Sequence, residues 1–240
     1  MTKRSRTILF IISVLLFLSA TPSVIFYSQG YRVDFETKKI VKTGGLSFRV
    51  LPGKAQVYLN GQLEKSTSML TNSVFIENLL PKTYEIEIKK EGYHPWKKNL
   101  EVKEAMVAEA ENITLFPQNP QFVATNQNIS KIKASATSTD KKKAIESDGY
   151  ELWVIFLEGE ERVFLTRFSE KIENIFWLND YYLIFNAGDK IKIAEIDDRD
   201  GLNIIDLAEF KSPEIFWDKD AKKLYVVSGK KTYLLEHLLP

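Results

Sequence analysis

The string Ile-Phe-Trp occurs twice, as IFWLND at 175–180 and IFWDKD at 215–220, and each copy has an Asp three positions after its Trp. The copies are 40 residues apart, and Asp140 stands another 40 residues upstream of Asp180. After each Asp comes a turn and an apolar run: KKKAIES (141–147), YYLIFNA (181–187) and AKKLYVVS (221–228). A glycine follows (Gly149, Gly188, Gly229), then a further strand: YELWVIFL, KIKIAEI and KTYLLEHL. The first two units add a fourth strand, RVFLTRF and LNIIDLAEF. A first strand precedes each Asp: IENIFW, PEIFW and a degraded counterpart in ISKIKAS at 129–135. Four short strands repeated about every 40 residues match the arithmetic of propeller blades. Runs such as YLIF and WVIFL are apolar on both faces, as sheets covered on both sides require. Asp140, Asp180 and Asp220 are read as equivalent turn residues, since an Asp side chain bonds backbone amides two residues on. Residues 129–240 therefore read as propeller-like repeats.

This array is expected to be unfinished. Propellers use about four to eight blades, whereas three units stand here and the last ends after its third strand. The strand at 231–238 should then show a free edge or an apolar face. Two decoys fall away. Trp217-Asp218 lies in a first strand, not at the Trp-Asp position of propeller repeats. DDRDG at 197–201 would place Ile196 and Leu207 at ligand positions of a calcium loop, where neither can coordinate. A hairpin turn at Asp200-Gly201 is the better account.

Upstream, residues 45–117 have a period of two. In TYEIEIK, Tyr84, Ile86 and Ile88 fall on one face and charged residues on the other, the mark of a half-buried strand. AQVYLNG alternates likewise and ends in Asn60-Gly61, which suits a type I′ turn. SVFIENL, WKKNLEV and ENITLF read as further strands, giving a small antiparallel sandwich. Its expected core is Val57, Leu59, Val74, Ile76, Tyr84, Ile86, Ile88, Leu100 and Val102. KEAMVAEAE at 103–111 has helical propensity but is short, and reads as a loop or single turn. The stretch 116–128, with two prolines and many amides, reads as a linker or inter-domain crossover, the linker being set at 118–128.

The stretches VLPGKAQVYLNG, IENLLPKTYEIEIKKEGY and WKKNLEV resemble a PEGA domain, a bacterial envelope module, over about seventy residues. Gly53 stands one place early and Lys82 replaces a usual glycine, both in turns. The resemblance implies a β-sandwich used for interaction or spacing, without catalytic residues.

The N-terminus is an anchor. Lys3, Arg4 and Arg6 precede an uncharged stretch at 7–27, about the 20 residues that cross a bilayer. The basic flank holds the N-terminus in the cytoplasm and sends the rest outside. Leu18 at −3 from a cut after Ala20, and Pro22 beside a cut after Thr21, argue against cleavage. Pro22 is expected to kink or end the helix. The organisation is thus anchor 1–30, juxtamembrane segment 31–44, sandwich 45–117, linker 118–128 and repeats 129–240: mainly β behind one transmembrane helix.

The 240 residues are 44% hydrophobic, ample for packed cores. A net charge of +1 argues against nucleic acid as a partner. The chain has no cysteine, which excludes disulfides, thiolate catalysis and Cys-based zinc sites. Only His94 and His237 remain as imidazole ligands, so no metal or cofactor is expected. Tyr93, His94 and Trp96 in EGYHPW form the one candidate interaction surface, an aromatic platform for sugar, set against turn and core packing. The chain reads as a membrane-anchored, extracytoplasmic binding or scaffolding protein of the cell envelope, not an enzyme. Its expected partners are the bilayer through 7–27, an envelope protein or cell-wall polysaccharide, and copies of itself through the unfinished array. The alternative is an extracytoplasmic propeller hydrolase or lyase. That requires clustered carboxylates, histidine or a metal, and the repeat half offers His237 and acids that sit mostly in turns.

Overall fold

A computed structural model describes residues 3–127, 129 and 136–239. Among the described residues the protein is mainly β, with one helix, α1 (Lys3–Ser28), whose most apolar 18-residue window has a mean hydropathy of 2.5 and none of whose residues is buried. Of the kink or end expected at Pro22, the end does not occur, because α1 runs on to Ser28. A proline removes one amide donor. Here that frees the Leu18 carbonyl, four residues back, while the Ser19 and Ser23 hydroxyls donate to the neighbouring Leu16 and Ser19 carbonyls at 3.0 and 3.1 Å.

A hairpin follows, β1 (Tyr31–Asp34) and β2 (Lys39–Lys42). Next come β3 (Gly44–Leu51), β4 (Gln56–Leu59), β5 (Gln62–Ser66), β6 (Ser73–Leu79), β7 (Thr83–Lys89), β8 (Trp96–Glu101) and β9 (Val107–Thr114). They form two packed sheets, β6-β3-β9 and β5-β4-β7-β8. All nine expected core positions are buried between them, with Val57, Ile86 and Ile88 fully covered. Val57 faces Ile88 and Leu59 faces Ile86 across the β4–β7 pair. Asn60 and Gly61 take the two positive φ angles, 49° and 79°, of the β4–β5 turn. Gly44 opens β3 where a Cβ would lie 2.4 Å from the Lys103 carbonyl, so the strand can enter there only without a side chain.

Two expectations need correction. Residues 107–111 are not a loop but the first half of β9, which pairs in parallel with β3. Pairing to a buried partner overrides the helical propensity of the Ala-Glu run. Residues 118–128 are not only a linker, because they contain β10 (Val123–Thr125).

The repeat half comprises β11 (Lys143–Ser147), β12 (Glu151–Phe156) and β13 (Glu161–Arg167), then β14 (Ile172–Trp177), β15 (Tyr182–Ala187), β16 (Lys190–Glu195) and β17 (Ile204–Glu209). It ends with β18 (Glu214–Asp218), β19 (Lys223–Ser228) and β20 (Lys231–Leu235). The sheets are β11-β12-β13, β14-β15-β16-β17 and β18-β19-β20, all antiparallel. The degraded first strand expected in ISKIKAS lies, apart from Ile129, outside the described residues. The middle sheet is covered on both sides. Trp177, Leu183 and Phe185 pack toward Leu152 and Val154 of the first sheet. Phe176, Ile184 and Ile193 pack toward Ile215, Leu224 and Val226 of the third. Trp177 and Trp217 are 4% and 3% exposed, and each faces the sheet before its own.

The third sheet corrects the expectation of a free edge at 231–238. β10, from upstream of the repeats, pairs antiparallel with β20 and supplies the fourth strand. Leu234, Leu235 and Leu238 are buried, so the premise of a bare β20 edge does not hold. The turn aspartates also need revision. Asp140 does accept the Lys142 amide at 3.0 Å. In the second unit Asn179 caps the turn, accepting from Tyr181 and Tyr182, while Asp180 accepts the Asp140 amide at 2.8 Å and links adjacent units. In the third unit the capping residue is Asp218, which accepts the amides of Asp220 and Ala221.

Candidate functional site at the joint between sandwich and repeats

β8 is an edge strand of the sandwich, and its residues alternate buried and exposed from Trp96 to Glu101. By that alternation Lys98 falls on the inward face with Trp96 and Leu100. It is 3% exposed, and a lysine there needs a partner because an isolated buried charge is costly. Glu195, the last residue of β16 and 4% exposed, supplies it. The Lys98 ammonium donates to Glu195 Oε1, to the Asp197 carbonyl at 2.7 Å and to the Gly201 carbonyl at 2.9 Å. All three of its protons are thereby used.

The Glu195 carboxylate is equally occupied. Oε2 accepts Trp96 Nε1 at 2.8 Å, and Oε1 accepts Asn203 Nδ2 at 2.9 Å and the Asn203 amide at 3.2 Å besides Lys98. Asn203 then acts as a strand partner for β8: its side chain donates to the Lys97 carbonyl at 3.0 Å and accepts the Lys97 amide at 3.3 Å. Asp200 Oδ2 accepts the Asn99 amide at 2.7 Å. Side chains of the β16–β17 connection thus close the backbone edge of β8, an edge that otherwise invites pairing with other chains. The turn that does this is DDRDG, with Asp200 and Gly201 at φ 56° and 88°.

Further contacts fix the joint. Tyr182 Oη accepts the Thr114 amide at 3.0 Å, and its ring meets Phe116 edge-on at 5.2 Å. Burial pushes the Tyr182 hydroxyl well above the usual phenol range. Arg199 donates to the Glu109 carbonyl at 3.1 Å and grips Asp197. Burial alone would raise Asp197, but the Arg199 hydrogen bonds and the Lys98 charge outweigh it and hold the carboxyl below its ordinary value. His94 lies over the same junction, its amide donating to the Phe116 carbonyl at 2.8 Å. Its Nε2 is buried and unpaired, and burial depresses the imidazole against the opposing pull of Asp206.

Beside the joint is a cleft of about 530 Å³ between β9 and the repeats. Glu109, Glu111 and Asp198 line it and are exposed, and Phe156 and Tyr181 supply aromatic faces. Such a lining favours a cationic or hydroxyl-rich ligand.

Tyr93, His94 and Trp96 do not form a common exposed platform. Tyr93 is half-buried against the sandwich core and bridges Pro117. His94 is half-buried, and the Trp96 indole is enclosed in the joint at 3% exposure. The residues that sequence reasoning missed are Lys98, Glu195 and Asn203. For Lys98 the signal was present: a charge at an inward register between Trp96 and Leu100. Among the described residues no group of three or more His, Cys, Asp or Glu side chains is arranged to hold a metal.

No family model and no curated protein matches the chain. Among solved structures, a protein of unknown function from Bacteroides thetaiotaomicron is similar at 10% identity and a TM-score of 0.31, over 73% of this chain and 60% of its own. A quinonprotein alcohol dehydrogenase-like protein from the same organism is similar at 11% identity and a TM-score of 0.28, over 85% and 56%. Hsv2 of Kluyvelomyces marxianus is similar at 8% identity and a TM-score of 0.24, over 68% and 46%. The chain therefore spans less than two thirds of each.

Proposed function

We propose that the protein is a membrane-anchored, non-catalytic binding or scaffolding module of the cell envelope. α1 holds it in the bilayer through residues 7–27. Lys3, Arg4 and Arg6 keep the N-terminus cytoplasmic, and the β units stand on the other side. The sandwich serves as a PEGA-type spacer, and the cleft beside the joint takes a basic segment of an envelope protein. One observation carries this reading: the buried Lys98 and Glu195 charges of the joint are fully taken up by partners within it, whereas Glu109, Glu111 and Asp198 at the cleft rim remain exposed. A carboxylate as fully occupied as Glu195 positions modules, while exposed carboxylates beside aromatic faces favour binding.

The test places a photo-activatable residue at Glu109, Asp198 or, as a remote control, Lys219 in cells producing the full chain. The rim positions should give a discrete adduct that Lys219 does not, with the protein in the membrane pellet after alkaline carbonate. Rim positions that cross-link no more than Lys219 in a membrane-bound protein would refute the reading.

A further inference from the structure

The hairpin β1–β2 begins three residues after α1 ends. Its cross-strand pairs are Tyr31–Lys42, Arg32–Val41, Val33–Ile40 and Asp34–Lys39. Alternation puts Tyr31, Val33 and Ile40 on one face. Apart from Lys42, opposite Tyr31 at its end, that face is apolar and open: Val33 is 50% and Ile40 70% exposed, and Phe35 in the connecting turn is 86% exposed. An isolated two-stranded hairpin has no stable reason to show three large apolar residues to water.

The hairpin is also held in place. The Arg32 guanidinium lies 3.6 Å from the centre of the Tyr27 ring at the end of α1 and donates to the Tyr27 carbonyl at 2.8 Å. Its other arm donates to Asn78 Oδ1 of the sandwich at 2.8 Å. The open face is continuous with the helix surface, because Tyr31 meets Phe26 edge-on at 5.6 Å. The turn keeps its shape through Asp34, which accepts the Glu36 amide at 2.9 Å and the Thr37 hydroxyl at 2.6 Å. The segment 31–42 carries four basic residues, Arg32, Lys38, Lys39 and Lys42, against two acids, Asp34 and Glu36.

We propose that this hairpin is a second membrane contact, lying in the headgroup layer at the C-terminal end of α1, with Phe35, Val33 and Ile40 at the acyl boundary and Lys38, Lys39 and Lys42 on lipid phosphates. It rests on the reading of α1 as a bilayer anchor. The geometry leaves little choice once α1 spans. From Thr7 to Ser28 the helix is about 33 Å long at ~1.5 Å per residue, close to the ~30 Å hydrocarbon core. The two linking residues cannot carry β1 more than about 10 Å from the helix end. The interfacial layer on each side is itself several ångströms deep. Apolar side chains with neighbouring lysines are the composition that such a layer binds. The contact gives the protein a fixed stance on the bilayer, because Arg32 ties the hairpin to both the helix and the sandwich.

The absence of cysteine allows the test in the full chain. Single variants Phe35→Cys, Ile40→Cys, Leu15→Cys and Lys219→Cys are labelled with an environment-sensitive fluorophore and reconstituted in vesicles of phosphatidylcholine and phosphatidylglycerol. Quenchers are carried either near the lipid headgroup or deep in the acyl chain. Labels at 35 and 40 should be quenched most strongly by the shallow quencher, the label at 15 by the deep one, and the label at 219 by neither. A label at 35 or 40 as unquenched as that at 219, with 15 still deep, overturns the hairpin contact and leaves the anchor standing. An unquenched label at 15 overturns the anchor, and the hairpin contact with it.

Discussion

Lys98→Met should break the joint. The substitution keeps most of the side-chain volume and removes the ammonium, leaving the Glu195 carboxylate buried at 4% exposure with only Trp96 and Asn203 to satisfy it. Removing one partner of a buried ion pair costs about 3–5 kcal/mol. The Asp197 and Gly201 carbonyls also lose their donor. For a protein of this size each kcal/mol shifts the midpoint by about 2–4 °C, so the loss should read as roughly 6–20 °C. The assay is thermal and urea unfolding of the full chain in detergent, followed by tryptophan fluorescence, because Trp96 sits in the joint itself. Unfolding should also separate into two transitions as the sandwich and the repeats lose their common interface. The double variant Lys98→Met/Glu195→Leu should recover much of the loss, since replacing both members of a buried pair by apolar groups is often neutral. A coupling of about 2 kcal/mol or more in the resulting cycle is expected. A loss below about 1 kcal/mol for Lys98→Met, the worth of an exposed pair, would refute the structural role of the joint.

Two further outcomes follow from the geometry. Replacing residues 123–125 by Gly-Ser-Gly should free the β20 edge and make the protein self-associate in light scattering, whereas the unaltered chain should not, and equal scattering from both would remove β10 as the closing strand. His94, depressed by burial, gives a pH dependence of defined sign: above the ordinary imidazole value of about 6.5 both folded and unfolded forms are neutral and its contribution is complete. As pH falls through that value, the unfolded chain takes a proton that the folded chain resists, and stability declines. His94→Gln should flatten this slope between about pH 7.5 and 5.5, and identical slopes would contradict the burial of the ring.

The sandwich core was legible because burial there follows a strict period of two. Ile86 and Ile88 could be placed inside from TYEIEIK alone, and Asn60-Gly61 named its own turn. The repeat was legible because Ile-Phe-Trp recurs in strands with equivalent neighbours, and Trp177 and Trp217 do face the preceding sheet. The capping residues were not legible from the 40-residue register. Asn179 and Asp218 do the work assigned to Asp180 and Asp220, since any short polar side chain near the start of such a turn can accept the same amides. β10 was hidden by its brevity, three residues among prolines and amides, and by a partner more than a hundred residues away. The first half of β9 was hidden by local propensity that a parallel partner overrode.

The joint escaped for a different reason, and that reason bears on what it is for. Neither Lys98 nor Glu195 breaks a rule strongly enough to be noticed alone: one is a lysine in a charged strand, the other a glutamate at a strand end. Each becomes unusual only when both are buried, and both are buried only if the sandwich and the middle repeat sheet meet. Their charges therefore report an arrangement, not a local structure. A joint built only of apolar side chains would tolerate sliding, because the hydrophobic effect has no preferred direction. Lys98 instead requires two specific carbonyls and one carboxylate oxygen together, and Asn203 must meet the Lys97 backbone in register. Movement of the DDRDG turn by one residue would strand a charge in the interior, at a cost larger than the attraction it would keep. The same logic applies at the other end of the sandwich, where Arg32 joins helix, hairpin and Asn78 through one guanidinium. Directional contacts at both ends fix the orientation of the cleft relative to α1, a fixed stance that the proposed binding role requires.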